Sequence, residues 1–129
     1  MAKQFRYIGL LALLLLVSCK NQQTTTTSSL VDVTKAKELL DSKSVIALDV
    51  RTPYEIKNGK IKDALELDFK AEGFKEKLDA FDKSKSYLVY CRSGGRSAKS
   101  IKLMSNLGFS NTYDLEGGYT AWSNTYGNN

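Results

Sequence analysis

A three-layer α/β fold around a parallel sheet of about five short strands is what this sequence predicts, and three observations predict it. Nearly unbroken apolar runs, "SVIALDV" (44–50) and "SYLVYC" (86–91), fit strands buried on both faces, as parallel sheets require. Segments with helical spacing lie between such runs. Glycine and proline then punctuate the alternation at Pro53, Gly59, Gly94, Gly95, Gly108, Gly117 and Gly118.

Taken in order, "SLVDVTKAKELLDSK" predicts a short edge strand near Leu30 to Val33, then a helix capped by Thr34 with Ala36, Leu39 and Leu40 on one side. "SVIALDV" is the first buried strand. In "RTPYEIKNGK", Pro53 suits a first helical turn and Gly59 a stop. "ALELDF" alternates like a strand, and "EGFKEKLDAFDKS" carries Phe74, Leu78 and Phe81 at helical spacing. "SYLVYC" is the next buried strand. From Ser97 to Leu107, Ala98, Ile101 and Met104, with Leu103 and Leu107 alongside, make an amphipathic helix that ends at Gly108. "NTYDLEGGYTAWSNTYG" supplies a last strand, a Gly-Gly turn and a helix around Tyr119 to Thr125, whose Tyr119 and Trp122 are expected to pack on the sheet. No internal repeat is present.

The amino terminus has a different character. "MAKQFRY" carries Lys3 and Arg6 without an acid, and "IGLLALLLLV" (8–17) is an apolar core of signal-peptide length, too short for a membrane span of about 20 residues. It ends in "LVSC" (16–19), which resembles a bacterial lipobox. That resemblance implies cleavage after Ser18 and lipidation of Cys19. The chain thus divides into a signal peptide at 1–18, a lipidated cysteine with a flexible polar tether at 19–29, and one domain at 30–129. The expected location is the bacterial cell envelope, lipid-anchored and facing the periplasm. Of the net charge of +5, Lys3 and Arg6 contribute two, and the remainder is too weak and scattered to indicate nucleic acid.

Cys19 and Cys91 are the only cysteines, so lipidation of the first leaves Cys91 unpaired in a compartment that oxidises paired thiols. Such a thiol is either buried and inert or kept for its reactivity. The chain has no histidine, which excludes Cys-His dyads and histidine acid/base chemistry. The loop "CRSGGR" (91–96) offers another route to a thiolate. Gly94 and Gly95 allow successive amides to point inward as an anion-binding nest, the helix behind adds the positive end of its dipole, and Arg92 and Arg96 add charge. Such surroundings lower a cysteine from about 8.5 to roughly 3.5–7.5.

Three stretches, "LDVRTPYEIKNGKI" (48–61), "YCRSGGRSAKS" (90–100) and "LEGGYTAW" (115–122), resemble in order and spacing a single-domain rhodanese, of the thiosulfate-type sulfurtransferase family. The resemblance implies an enzyme in which Cys91 takes a sulfane sulfur as a persulfide and passes it to a cyanide or thiol acceptor. It implies that the amides of Arg92, Ser93, Gly94, Gly95, Arg96 and Ser97 cradle the sulfur and the donor's anionic group. Arg92 and Arg96 would orient a small anionic donor such as thiosulfate. Asp49 and Arg51 would brace the loop, with Glu55 as partner for Arg51. No cofactor or metal is called for, the membrane is met through the lipid anchor, and the chain is expected to be a monomer. Two positions depart from the family pattern: Lys60 stands where a histidine is usual and Asp63 where a small residue is usual.

Two other readings compete. A tethered persulfide carrier or thiol redox module would use the same loop without turnover. A cysteine-dependent phosphatase shares the fold but needs one residue more than the four that separate Cys91 from Arg96, and Ser97 occupies its arginine's place.

Overall fold

The computed structural model describes residues 25–128. The expected signal peptide, Cys19 and the first part of the expected tether lie outside the described residues. Among the described residues ten elements alternate: β1 (Thr27–Val31), α1 (Val33–Asp41), β2 (Ile46–Asp49), α2 (Pro53–Ile56), β3 (Leu65–Glu66), α3 (Phe74–Asp79), β4 (Ser86–Tyr90), α4 (Gly95–Leu107), β5 (Asn111–Leu115) and α5 (Gly118–Tyr126).

The five strands form one sheet in the order β1-β5-β4-β2-β3, and every neighbouring pair is parallel. Because side chains alternate along a strand, each central strand feeds two cores. In β4, Tyr87 and Val89 enter one core with Leu78 of α3 and Ile101 and Met104 of α4. Leu88 and Tyr90 enter the other with Ala36 of α1 and Tyr119 and Trp122 of α5. Burial on both faces explains why β2 and β4 read as continuous apolar runs rather than as alternating ones.

The edges differ from the sequence expectation. β1 begins at Thr27, inside the stretch expected to be tether, and α1 is capped by Asp32, whose Oδ1 accepts from the Lys35 amide at 2.7 Å. Thr27 to Leu30 are exposed, so this strand is held mainly by its backbone ladder to β5, and only Val31 at its end packs against the core. The expected "ALELDF" strand shrinks to Leu65–Glu66, and Phe81 lies beyond the end of α3. Lys60 is bound to the Ala64 carbonyl at 3.1 Å and to Glu66 at 2.6 Å, which ties the loop to β3. Asp63 takes a left-handed conformation (φ 60°), which glycine adopts most readily and which aspartate tolerates better than most residues.

The order of the strands also places the site. The chain steps outward from β2 to β3, then crosses back to β4 and on to β5, so the direction of winding reverses between β2 and β4. In open parallel sheets ligands bind beyond the carboxyl ends of strands at such a reversal. Val50 and Arg51 follow β2 there, and Cys91 follows β4.

Candidate active site

The alternation of β4 continues for one residue past the strand, so Cys91 falls on the α3/α4 face with Tyr87 and Val89 and is only 1% exposed. The loop then has to reverse into α4 within a few residues. Gly94 makes that turn at φ 122°, which a side chain would strongly disfavour. The turn brings the Gly94 amide 3.1 Å from Cys91 Sγ, and the Ser97 hydroxyl lies 3.7 Å from the same sulfur.

Burial pushes the Cys91 thiol up, but the amides of Ser97, Gly94 and Ser93 act against it and the thiol is held below its usual range. The positive end of the 13-residue α4 acts in the same direction. The arrangement performs the task expected of the nest, without histidine.

A second layer fixes the loop. The Tyr119 and Thr120 amides of α5 donate to the Cys91 and Arg92 carbonyls at 2.8 and 3.1 Å. That approach is so close that a Cβ on Gly118, whose φ is 58°, would lie 2.6 Å from both carbonyl oxygens. The Gly-Gly turn is therefore part of the site's construction.

Asp49 and Arg51 are also brought here, as an ion pair of 2.6 Å with side chains 0% and 4% exposed. Arg51 further donates to the Gly59 carbonyl at 2.9 Å and lies over the Tyr119 ring at 4.0 Å. Breaking one partner of such a buried pair costs about 3–5 kcal/mol. Tyr90, beneath, accepts from the Ile61 amide at 3.1 Å. Burial and the neighbouring Asp49 push its phenol far above the ordinary range, so it stays protonated.

One expectation is corrected. The partner of Arg51 is Asp49 and not Glu55, because Arg51 turns inward beneath the loop. Glu55 instead receives both ends of the Arg96 guanidinium at 2.7 Å each, while its Oε2 also accepts from the Thr52 amide at 2.9 Å and completes the cap of α2. Arg96 and Thr52 hold the Glu55 carboxyl at about 2, against the cost of burial. Arg96 is thus committed to a side-chain partner, whereas Arg92 and Ser93 are exposed on the loop.

A cleft of about 400 Å³ opens beside the loop, lined among others by Arg51, Tyr54, Glu55, Arg92 and Tyr119. A cavity of about 480 Å³ lies near the amino end of β2, lined among others by Lys43, Val45 and Trp122, and includes none of the loop residues.

Sequence reasoning missed Asp114, whose Oδ1 is 2.7 Å from Ser97 Oγ. Strand alternation was the available signal: Leu115 belongs to the α1/α5 core, so Asp114 stands on the face shared by Val89 and Cys91.

Fold and site together define a parallel α/β domain that holds a buried thiol beside backbone amides at the carboxyl end of its central strand. The sequence profile of the Rhodanese-like domain matches residues 32–125, and the chain belongs to that family. A sulfurtransferase of Allochromatium vinosum is 33% identical over 88 residues, covering 68% of this chain and 80% of that protein. Thiosulfate sulfurtransferase 16, chloroplastic, of Arabidopsis thaliana is 35% identical over 105 residues, covering 74% and 87%. A tRNA uridine(34) hydroxylase of Wolbachia pipientis is 37% identical over 89 residues, but the match spans only 32% of its length and 66% of this chain. Among solved structures, a rhodanese-related protein from Thermoplasma volcanium superposes with a TM-score of 0.67 at 29% identity, covering 74% of this chain and 91% of that one. At the level of the family, these relatives place the domain with rhodanese-type sulfurtransferases.

Proposed function

We propose that the protein moves a sulfane sulfur from a small anionic donor such as thiosulfate to a cyanide or thiol acceptor through a Cys91 persulfide, while anchored to the cell envelope through Cys19. The observation that carries this reading is the Gly94 amide 3.1 Å from Cys91 Sγ in a loop that stabilises sulfur as an anion. The Cys91 thiolate attacks the outer sulfur of thiosulfate. As the new S–S bond forms, the donor's S–S bond breaks and sulfite leaves with its electron pair. The loop amides then serve the terminal sulfur of the persulfide anion. Cyanide attacks that sulfur, thiocyanate departs, and the Cys91 thiolate is regenerated. Arg92, exposed beside the cleft, draws in the donor.

The same geometry weighs against phosphatase chemistry. Ser97 stands where that reaction needs an arginine, its hydroxyl is held beneath the loop by Gly94 and Asp114, and Arg96 is bound to Glu55.

The test is to incubate the protein with thiosulfate and cyanide, follow thiocyanate, and measure the intact mass of the protein after thiosulfate alone. Turnover together with one added sulfur on Cys91, both lost in Cys91→Ser, is expected. Sulfur uptake without turnover would make the protein a persulfide carrier, and no uptake would refute the proposal.

A further inference from the structure

The Ser97 hydroxyl has one proton and three neighbours: the Gly94 carbonyl at 3.0 Å, Asp114 Oδ1 at 2.7 Å and Cys91 Sγ at 3.7 Å. Which neighbour receives that proton decides what the sulfur meets. Parallel register creates the cluster, since Val89 pairs with Asp114 and the two share a face with Cys91 beneath the first turn of α4. Asp114 is half-buried, and no lysine or arginine among the described residues pairs with it.

We propose that Asp114 is a positioning residue that acts through the Ser97 hydroxyl to set how readily Cys91 carries negative charge. An ionised Asp114 draws the Ser97 proton, because a hydrogen bond to a carboxylate is stronger than one to a neutral acceptor. The sulfur then faces a serine lone pair, a contact that suits the thiol and opposes the thiolate. A protonated Asp114 donates to Ser97 Oγ and frees the serine proton for the sulfur. Charge repulsion between an ionised Asp114 and the thiolate would work in the same direction. Burial pushes the Asp114 carboxyl above its ordinary range, with Ser97 working against that shift.

The other charged group that acts on this site is Arg96 of α4, which is paired with Glu55 of α2 and also feels Cys91 and Asp68, while Arg92 of the loop is exposed. β1, which pairs with Asp114 through Leu30, has no ionisable residue between Thr27 and Val31.

This inference rests on Cys91 being the reactive thiol, and its test needs no sulfur donor. The pH profile of Cys91 alkylation by iodoacetamide is measured on the full chain as wild type, Asp114→Asn, Ser97→Ala and the double variant, with the modified residue located by mass spectrometry. An asparagine amide donates to Ser97 Oγ and carries no charge. Asp114→Asn is therefore expected to move the midpoint to lower pH and to speed alkylation below the wild-type midpoint by roughly three- to tenfold. In the Ser97→Ala background the shift should shrink. An unchanged or raised midpoint in Asp114→Asn overturns the proposal, and so does an undiminished shift without Ser97. Far-UV circular dichroism verifies the fold, and Asp114→Ser, which also removes the charge, replaces Asp114→Asn if that variant does not fold. Failure of sulfur transfer with the expected shift present would count against the proposed function and leave this role intact.

Discussion

Cys91 Sγ has an amide donor at 3.1 Å and a serine hydroxyl at 3.7 Å, whereas the nearby guanidinium of Arg96 is spent on Glu55. The two arginines of the loop therefore separate into different roles. Arg92→Ala is expected to weaken the use of thiosulfate, with a loss that shrinks as ionic strength rises, and to leave Cys91 alkylation by a neutral reagent near wild type. Steady-state kinetics at two salt concentrations check this. Glu55 makes a different prediction, about stability. Its carboxyl sits at about 2 in the folded chain against an ordinary 4.5, so its stabilising contribution is complete above 4.5 and is lost as pH falls toward 2. Thermal melts should show wild type more stable than Glu55→Gln at neutral pH, with the gap closing across that acidic window.

At the level of elements, a helix start serves the site twice. The amino end of α4 faces the sulfur, and the first turn of α5 holds the carbonyls of the loop that carries it. Gly118 is the point of closest approach. Gly118→Ala should cost at least tenfold in kcat/KM and slow alkylation of Cys91, since a Cβ at 2.6 Å from two carbonyl oxygens must push the loop away. A folded variant with wild-type kinetics would show that the loop tolerates displacement. The sequence made "GGYTAW" conspicuous without saying why. The reason lies in a contact between residues 118 and 91, which are neighbours only because β4 and β5 pair. Asp114 was overlooked for a related cause: alternation in "NTYDL" gives its face, but only strand register says that this face lies beside Cys91. The exchange of partners between Arg51 and Arg96 was equally hidden, because two arginines and two carboxylates permit several pairings and only burial selects one.

For the whole molecule, parallel strands set a direction. β1 enters the sheet at its amino end, and Cys91 lies at the opposite end, past the carboxyl terminus of β4. Among the described residues, no helix is long and apolar enough to cross a membrane. Under the proposed anchorage, membrane attachment is through Cys19. Wild type expressed with its signal peptide should partition into the detergent phase, and Cys19→Ser should remain in the aqueous phase; equal partitioning would refute lipid attachment. The amino-acid sequence by itself determined the α/β class, the parallel sheet and the position of the thiol with its glycine loop, because these follow from local periodicity, chain punctuation and a contiguous motif. Only the tertiary structure decided which carboxylate meets which arginine, why Gly118 must lack a side chain, and that Asp114 reaches the sulfur through Ser97. Those relations join residues far apart in the chain, and side-chain partners across a sheet are chosen by register and burial.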